Sequence, residues 1–512
     1  MTVSAEGVGI SGIDGVIVEV QVTTQDGLPG LDITGLPSAC IRESRFRVRS
    51  ALNACGYGWP QKRLVANFAP ADLHKSGSAY DLVLAASLLR LQGVVPAEEV
   101  ETAVFYGELA LNGLVRAVPG AINAAIAARN AGKERLFVAP ECAAEAAAVP
   151  GIDVVPVDSL VHMVRFLRLE SPYLVAKAHD HVDSSEKSES DLAFIKGQAR
   201  ARRALEIAAA GGHNILMMGP PGCGKTLLAR ALPGILPDLE LDESLDVSRI
   251  HSVAGLLARS GGLIRRRPFR APHSSASYAA LVGGGNPPVP GEVSLAHRGV
   301  LFLDEAPEFK RSALEALRAP LEDQKVSLSR ARRCVTFPAD FSLVCALNPC
   351  PCGFAGDPDR ACHCTRRQIE TYRHKLSGPL MDRIDLHLIL KAVSHQKLAQ
   401  QSEGESSADV RRRVSKARLL QQNRNRTKTR SVLNSGLDNA GLHRWAYLGT
   451  KERSHLVRAG EKLGLTARTW TRVIKVARTI ADLSEREDIE VEHLSEALAF
   501  RNLDRTRAVS NH

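Results

Sequence analysis

Aromatic residues are scarce in this sequence: Phe, Trp and Tyr together make up 4% of its 512 residues. Stacking platforms for nucleic-acid bases therefore cannot be numerous. No apolar run reaches the roughly 18 residues that a membrane-spanning helix needs, so no membrane partner is expected. The first residues have neither the basic nor the apolar segment of a signal peptide. We therefore expect a cytoplasmic protein whose ten cysteines are thiols or metal ligands rather than disulfides.

Charge is unevenly distributed along the chain, whose formal net charge is +10. Residues 1–175 contain 14 Lys and Arg against 18 Asp and Glu, which leaves +14 on residues 176–512. A basic C-terminal part fits a polyanionic partner, although an excess of solvated Lys and Arg would give the same balance. The length predicts two or three domains rather than a single core.

A glycine-rich segment matches the pattern G-x-x-x-x-G-K-[ST], in which backbone N–H groups surround a triphosphate. Its predicted nucleotide-binding residues are Gly219, Pro220, Pro221, Gly222, Cys223, Gly224, Lys225 and Thr226. The apolar residues 214–218 predict a buried strand before the loop, and residues 227–231 predict a helix after it, so the phosphates would lie at a helix N-terminus. Lys225 would contact the β- and γ-phosphates of ATP, and Thr226 would bind Mg²⁺. An ordinary glycine turn is the alternative.

Two later apolar segments end in polar residues. Residues 299–303 lead into Asp304 and Glu305, and residues 342–347 lead into Asn348. The carboxyl ends of buried parallel strands are where open α/β sheets bind ligands. We therefore expect Asp304 to hold Mg²⁺, Glu305 to orient the attacking water, and Asn348 to contact the γ-phosphate or its water. Taken alone, an acidic pair at a strand end is more often a solvated turn.

Four of the cysteines form a cluster with the spacing C-x-C-x9-C-x-C: Cys350, Cys352, Cys362 and Cys364. Two tight pairs on either side of a Gly/Asp/Pro loop can close a tetrahedral zinc site, although C-x-x-C is the commoner spacing. His363 is a possible substitute ligand. We expect a structural zinc ion here, with free thiols or a redox switch as the alternatives.

Residues 325–329 and 334–337 predict a β-hairpin whose tip carries the cations Arg330, Arg332 and Arg333. The flanking strands leave no place to bury these side chains, so they should face solvent or the pore of an assembly, where we expect them to contact DNA. A surface hairpin with ordinary solvated arginines is the alternative.

Residues 1–172 predict an α/β or α+β domain, in which residues 31–34 would be the hairpin partner of the strand 15–22. Residues 38–55 have helical periodicity, with three arginines on one face: Arg42, Arg45 and Arg49.

This part of the chain resembles the proteolytic domain of Lon-type proteases, through residues 75–81 and 107–120. The Lon pattern places a nucleophilic Ser and a Lys base where this sequence has Ala79 and Ile122, and Ser78 is out of register. A Ser–Lys dyad needs a base within hydrogen-bond reach, and the alanine-rich residues 121–131 contain no lysine. The resemblance therefore implies a non-catalytic relative of the Lon fold.

As a whole, the chain resembles the magnesium-chelatase-like AAA+ family usually called YifB or ComM. The resemblance spans its full length and is carried by residues 219–226, 270–273, 281–285, 290–297, 299–305, 348–353, 375–385 and 467–478. It implies a homo-oligomeric ring, most simply a hexamer, with ATP between subunits. Arg383 matches the arginine finger that reaches a neighbour's γ-phosphate, with a salt bridge to Asp385 as the alternative. Arg468 matches the sensor arginine of a small helical lid.

The implied organisation has an N-terminal Lon-protease-like (S5-type) α+β domain, an AAA+ P-loop ATPase α/β core and a C-terminal helical lid. The expected bounds are 1–172 for the Lon-like domain, 173–192 for a linker, 193–392 for the core and 393–512 for the lid. Within the core we place the basic hairpin and the four-cysteine insertion.

The function that the resemblance implies is an ATP-hydrolysing ring motor on DNA, such as a branch-migration helicase in recombination or DNA uptake. A protein-remodelling or chelatase-like AAA+ ATPase is the alternative. An ATP-dependent protease is a third reading, against which the missing dyad argues. The basic C-terminal part and the arginines of the hairpin favour DNA over protein as the substrate.

Overall fold

The computed structural model describes residues 2–36, 38–71, 73, 75, 77–178, 191–257, 262–330, 333–357, 360–393, 404–425 and 432–501. Of Arg330 and Arg333 it describes the backbone alone. Most of the predicted linker lies outside these ranges. In the part of the chain that is described, no helix is long and apolar enough to cross a bilayer.

The N-terminal domain is built on a seven-stranded mixed sheet with the order β3-β4-β2-β1-β5-β8-β9, beside a two-stranded β6–β7 pair. The strands are β1 (Thr2–Ser11), β2 (Asp14–Gln25), β3 (Gly30–Thr34), β4 (Arg63–Ala69), β5 (Ala103–Tyr106), β6 (Glu108–Leu109), β7 (Val115–Arg116), β8 (Arg135–Val138) and β9 (Asp153–Pro156). The predicted pairing of β2 with β3 is wrong, because β2 pairs antiparallel with β1 and β4, and β3 pairs parallel with β4.

Helices cover both faces of this sheet. They are α1 (Ala39–Ala54), α2 (Asp81–Leu91), α3 (Ala97–Glu101), α4 (Ala121–Asn130), α5 (Pro140–Ala146) and α6 (Leu160–Leu167). Helix α1 begins after Ser38, whose hydroxyl accepts a hydrogen bond from the backbone of Ile41 and so caps the first turn. Helices α1, α2 and α6 share one apolar core with the sheet, and α4 and α5 share the other. Each large side chain buried there contributes about 2 kcal/mol of hydrophobic free energy.

The second domain contains a five-stranded parallel sheet with the order β11-β14-β17-β10-β18. Its strands and the two accompanying hairpins are β10 (Ile215–Met218), β11 (Phe269–Arg270), β12 (Gly283–Gly284), β13 (Val289–Pro290), β14 (Val300–Leu303), β15 (Lys325–Arg330), β16 (Arg333–Pro338), β17 (Ser342–Leu347) and β18 (Leu386–Ile389). The mixed α/β architecture with a parallel sheet agrees with the predicted fold class. The predicted basic hairpin is β15–β16, in which Arg330 pairs with Arg333.

Helices of this domain pack on both faces of the parallel sheet. They are α7 (Ala199–Gly211), α8 (Lys225–Ile235), α9 (Leu241–Val253), α10 (Tyr278–Val282), α11 (Glu292–Leu295), α12 (Arg311–Glu315), α13 (Arg318–Asp323), α14 (Arg366–His374) and α15 (Gly378–Met381). Along β10, Ile215 and Met217 face the α7–α8 side, whereas Leu216 and Met218 face the other core, as strand alternation requires.

The C-terminal part is helical and packs directly on the α7–α8 side. Its helices are α16 (Ser407–Arg424), α17 (Asn439–Trp445), α18 (Thr450–Leu463), α19 (Ala467–Leu483) and α20 (Val491–Ala499). Val414 of α16 and Val476 of α19 belong to the same buried cluster as Ala204 of α7 and Leu228 of α8. These helices therefore complete the core of the nucleotide-loop domain, and their role as a lid stays a prediction.

The N-terminal domain contacts the second domain through α9. Arg249 of α9 forms a 2.8 Å ion pair with Asp14 and donates to the carbonyl of Ile13, in the β1–β2 turn. Ile13 joins a small apolar cluster formed by Ile250, Leu295, Val335 and Phe337. The turn thus packs against the stem of the β15–β16 hairpin.

A buried carboxyl group lies at the same interface. Glu145 Oε1 accepts hydrogen bonds from the backbone N–H of Ala121 at 3.1 Å and from the hydroxyl of Ser252 at 3.0 Å. Burial raises the pKa of Glu145, since desolvation disfavours the carboxylate. Ionisation of Glu145 therefore opposes folding. The contribution of Glu145 to the free energy of unfolding is full at acidic pH, and it declines as pH rises through the raised pKa.

We expect Glu145→Gln to remove that decline, because the amide keeps the acceptor oxygen and has no proton to lose. Thermal unfolding measured between about pH 4 and pH 8 should show that the stability of the variant increases relative to that of the parent as pH rises. Glu145→Ala should lose about 2 kcal/mol at acidic pH, because two buried donors lose their acceptor, and this loss should shrink as pH rises because the parent is itself destabilised. Parallel pH profiles for the parent and Glu145→Gln would contradict the assignment.

Candidate functional site

The glycine-rich loop connects the buried strand β10 to the N-terminus of α8, as the sequence predicts. A Cβ on Gly219 would lie 2.8 Å from Cys223 Sγ and 2.9 Å from the carbonyl oxygen of Leu390, so no larger residue fits there. Gly224 has φ 92°, in the left-handed region that favours glycine, and it directs the chain into α8. Unpaired N–H groups at the start of this helix form a site for a phosphate group.

Lys225 connects this loop to the neighbouring strand. Its Nζ donates to the carbonyl oxygens of Gly219 at 2.7 Å and Pro220 at 3.0 Å, and to Asn348 Oδ1 at 3.0 Å. Strands β10 and β17 are paired so that Met218 lies opposite Leu347, and the next residues, Gly219 and Asn348, meet at the sheet edge. The predicted sensor side chain is therefore in contact with the predicted phosphate-binding lysine.

The predicted magnesium ligands are also in contact. Thr226 Oγ1 donates to Asp304 Oδ2 at 2.9 Å, and Asp304 Oδ1 accepts from the backbone N–H of Glu305 at 3.0 Å. Glu305 is exposed and has φ 49°, a left-handed conformation that is uncommon for a non-glycine residue and clusters at functional sites. A hydroxyl and a carboxylate at the C-terminal edge of a parallel sheet are oxygen ligands that suit Mg²⁺.

These residues fit a nucleoside triphosphate with its magnesium ion. The ammonium of Lys225 and the N–H groups of the loop match the phosphates, and Thr226 with Asp304 matches the ion. Magnesium held by Thr226 and Asp304 would supply positive charge that neutralises part of the phosphates' negative charge. The roles of Glu305 in orienting water and of Asn348 in contacting the γ-phosphate stay predictions.

Arg383 is held within its own chain. Its guanidinium forms an ion pair with Glu322 and donates to the carbonyl of Pro379 at 2.6 Å, and the residue is 7% exposed. The alternative partner, Asp385, is engaged elsewhere. Within the described residues, the Nε of Arg383 has no hydrogen-bond partner. Its role as an arginine finger stays a prediction, as does the sensor role of Arg468, which is exposed at the start of α19.

A buried network that the sequence did not predict links α19 to the sheet. Asp385, which is 3% exposed, accepts from the backbone N–H of Asn214 at 3.0 Å and pairs with Arg472 of α19. The ring of His213 lies 3.4 Å from the same carboxylate and 2.8 Å from Thr479 Oγ1. Burial would raise the pKa of Asp385, but the charge of Arg472 and its hydrogen bonds hold it well below the usual range. One feature of the sequence points to this network: Arg472 lies one helical turn after Arg468, the residue that matches the sensor arginine.

The side chain of Asn214 completes this connection. Its Nδ2 donates to the carbonyl of Arg383 at 2.9 Å, and its Oδ1 accepts from the backbone N–H of Leu343 at 2.8 Å. One amide side chain therefore joins the segment that carries Arg383 to the strand that ends at Asn348. Arg472, which donates to the same carbonyl at 3.2 Å, adds α19 to this group.

The three arginines of the predicted DNA contact are only partly described. Arg330 and Arg333 lie at the paired ends of β15 and β16, and Arg332 lies outside the described residues. The hairpin itself is present, and its DNA contact stays a prediction.

The four clustered cysteines form a compact group of ligand atoms. Their Sγ atoms all lie within 4.8 Å of one another, and the Sγ of Cys350 is 3.2 Å from that of Cys352 and 3.6 Å from that of Cys362. Four thiolates around zinc lie about 3.8 Å apart, because each Zn–S bond is about 2.3 Å. The backbone N–H of Phe354 and the Cys350 thiol lower the pKa of Cys352 to about 6. Desolvation and the neighbouring thiols outweigh a backbone hydrogen bond and raise the pKa of Cys362 and of Cys364, so the support for zinc is the spacing of the four sulfur atoms. The group therefore fits a structural zinc ion.

This cysteine loop packs against the nucleotide loop. A Cβ on Gly353 would lie 2.7 Å from Cδ of Pro221, and Gly353 has φ 88°. The loop also begins directly after Asn348, and Arg373 of α14 donates to the carbonyl of Pro349 at 3.0 Å. The shape of the cysteine loop therefore affects both Asn348 and the phosphate-binding residues.

In the N-terminal domain the residues compared with the Lon pattern have structural partners. Ser78 donates to a carboxylate oxygen of Glu108, and Ala79 and Ile122 belong to an apolar cluster. Lys75 is fully buried, and its Nζ donates to the carbonyl oxygens of Gly35, Phe68 and Pro70. These three acceptors match the three N–H donors of the lysine ammonium group.

Comparisons with known proteins cover almost the whole chain. A family model described as magnesium chelatase, subunit ChlI, matches residues 191–398. Models described as subunit ChlI of Mg-chelatase and as the ChlI C-terminal part match residues 18–142 and 404–501. The uncharacterized protein YifB is 42% identical over 499 residues in Salmonella typhimurium and 42% over 496 in Escherichia coli, covering 96% of both chains each time. The competence protein ComM of Haemophilus influenzae is 40% identical over 499 residues, again 96% of both chains.

The site geometry predicts different defects for Lys225 and Glu305. Lys225→Ala should lose ATP binding, because the ammonium at the phosphate position is removed. Glu305→Gln should bind ATP and hydrolyse it at least about a hundredfold more slowly, since only water activation is impaired. Binding of a fluorescent ATP analogue and phosphate release measure the two steps. Glu308→Gln, an exposed acid one turn further on, is the matched control, and unchanged turnover in Glu305→Gln would contradict the assignment.

The cysteine cluster predicts one zinc ion per chain in elemental analysis of protein purified without chelator. Cys362→Ser should lose the zinc and lower ATPase activity, because the cysteine loop packs on Pro221. Cys334→Ser, which changes an exposed thiol outside the cluster, should affect neither property. Zinc-free parent protein with four titratable thiols in the cluster would refute the site.

Proposed function

The chain belongs to the magnesium-chelatase-like AAA+ family of YifB and ComM, and from this premise we propose that it is an ATP-driven ring motor acting on DNA. The observation that carries the proposal is the meeting of Lys225 with Asn348 and of Thr226 with Asp304 at one sheet edge. Those contacts supply phosphate binding, metal binding and a group that responds to the γ-phosphate. ATPase activity follows from the family, and the remaining statements concern how it is used.

Within the proposed cycle, each residue has one task. Lys225 and the loop N–H groups bind the phosphates, and Thr226 with Asp304 holds magnesium, which neutralises charge on the transferred phosphoryl group. Glu305 orients and polarises the attacking water. Loss of the γ-phosphate removes a partner from Lys225 and Asn348. Asn348 passes that change to β17 and to the cysteine loop that follows it.

Assembly into a ring, most simply a hexamer, would give Arg383 a second partner. Its ion pair with Glu322 involves a carboxylate side chain that is 56% exposed, and water weakens such a pair. A neighbouring subunit's γ-phosphate carries more charge than one carboxylate and would compete for the guanidinium. We assign Arg383 the role of an arginine finger on this basis, with Asn214 and Arg472 fixing its backbone.

DNA is the proposed substrate for three reasons. Residues 176–512 carry a net charge of +14, the sequence has three arginines in the segment that joins β15 to β16, and one relative is named as a competence protein. Each arginine that contacts a phosphate releases counterions, which makes binding dependent on salt. Branch migration in recombination or DNA uptake is the activity that we propose for the motor.

The direct test is ATP-dependent branch migration of a synthetic four-way junction. The parent protein should move the junction, and Glu305→Gln should bind it without moving it. Protein that hydrolyses ATP normally but neither binds nor moves DNA at any salt concentration would rule out a DNA motor while leaving the ATPase assignment intact.

Replacement of Arg332 and Arg333 by Ala should weaken binding to DNA of any sequence. It should also reduce the slope of the logarithm of the binding constant against the logarithm of the salt concentration by about two. Basal ATP hydrolysis should persist, since neither residue is assigned to the nucleotide site. Fluorescence anisotropy of labelled duplex at several salt concentrations measures the slope. Parent-like binding and junction movement in the double variant would make the hairpin an ordinary solvated surface.

A further inference from the structure

Helix α1 of the N-terminal domain presents a basic face that the proposed motor does not use. Arg45, Phe46 and Arg49 lie three, four and seven positions after Arg42, so the four residues form a single stripe, here called the α1 stripe. The opposite face of the helix is buried through Ile41, Ser44, Val48, Ala51 and Leu52. All four residues of the stripe are exposed, and Phe46 is 60% exposed.

Among the described residues, no carboxylate lies within ion-pair distance of Arg42, Arg45 or Arg49. By contrast, Arg47 on the same helix pairs with Asp81 at 2.7 Å. Two of the stripe's cations instead lie over aromatic rings: Arg45 is 4.6 Å from the ring centre of Phe46, and Arg49 is 5.8 Å from that of Trp59. The stripe therefore combines available positive charge with aromatic surface.

Its charge is opposite to that of the domain around it. Residues 1–175 have a net charge of −4, yet α1 holds four arginines and a single acid, Glu43, in 16 residues. Such a local concentration of one sign attracts ligands of the other sign despite the overall balance. The ligand that this surface suits is an extended anion rather than a single ion, because the stripe runs about 10 Å along the helix.

We infer that the α1 stripe binds single-stranded nucleic acid, with the arginines on successive phosphates and Phe46 stacked on a base. Exposed aromatic rings among cations are typical of single-strand binding, since only an unpaired base offers its face for stacking. Duplex DNA would contact the arginines through its phosphates, but its paired bases would leave the ring of Phe46 exposed to water. This site goes beyond the proposed motor, because it requires neither ATP nor the β15–β16 hairpin.

The test uses the full chain without nucleotide and a labelled oligo(dT) of about 30 nucleotides, in protein whose Arg332 and Arg333 are replaced by Ala. Arg42→Gln, Arg45→Gln and Arg49→Gln together should weaken binding about tenfold or more. The slope of the logarithm of the binding constant against the logarithm of the salt concentration should decrease by about two. Each of the three lost phosphate contacts accounts for roughly 0.7 of this slope. The matched control replaces Lys451, Arg453 and Arg458 of α18 by Gln, which removes three exposed charges elsewhere and should leave both quantities unchanged.

Phe46→Ala separates stacking from charge. It should weaken oligo(dT) binding about tenfold and leave the salt slope as it was, because no phosphate contact is lost. Replacing the three arginines by Lys keeps the positive charges, so the salt slope should stay as in the parent. This result would show that the effect of the Gln variant comes from lost charge and not from unfolding of the domain. Thermal unfolding of each variant should match that of the parent.

Three outcomes would overturn the inference. One is parent-like oligo(dT) binding by the triple Gln variant, and another is an equal loss in the α18 control. The third is unchanged binding together with loss of subunit assembly in sedimentation, which would make the stripe a contact between copies of the chain. ATP hydrolysis and junction movement measured in the otherwise unmodified chain separate a failure of this site from a failure of the motor.

Discussion

A single buried carboxylate, that of Asp385, fixes the parts of the nucleotide-loop domain relative to one another. It accepts a hydrogen bond from the backbone that enters β10, lies beside the ring of His213, and pairs with Arg472 of the C-terminal helices. A charge in the interior is stable only when it is compensated from several directions, and here the compensating groups come from two segments distant in the chain, residues 213–214 and helix α19. The start of the phosphate-loop strand, the segment after Arg383 and helix α19 must therefore be in place together. That requirement couples the C-terminal helices to the nucleotide loop more tightly than apolar packing alone would.

The geometry of the nucleotide site follows from the parallel pairing of the strands in this sheet. Strands β10, β14 and β17 are adjacent and point the same way, so the loop, the acidic pair and Asn348 emerge at one edge. Thr226 and Asp304 lie 78 positions apart in the chain, and Lys225 and Asn348 lie 123 apart, yet each pair is within hydrogen-bond distance. Gly353 of the cysteine loop packs against Pro221 of the nucleotide loop. A site assembled from strand ends in this way is held by the sheet, and only Glu305, with its left-handed backbone, departs from relaxed geometry.

The nucleotide loop and the strands that end at Asp304 and Asn348 were predictable because each is a local pattern of apolar residues, glycines and a polar end. Long-range partners were not predictable in the same way. Arg383 pairs with Glu322 rather than with the nearby Asp385, and Asp385 pairs with Arg472, because tertiary packing decides which acid is within reach. Strand β1 was missed since Gly7 and Gly9 interrupt its alternation. A Cβ at Gly7 would lie 2.9 Å from Val83 of α2, so the glycine is required by helix packing and not by a turn.

The contact between the β1–β2 turn and the stem of the basic hairpin has a mechanical consequence. A two-stranded ribbon bends easily when it is held only at its base, and less easily when its free length is shortened. Ile13 packs beside Val335 and Phe337, and a Cβ at Gly12 would lie 2.7 Å from Val335 Cγ1, so the second strand is supported partway along its length. Only the outer residues of the ribbon remain unsupported by that contact. The position of the hairpin's described stem is therefore set in part by the first turn of the chain, which lies in a different domain.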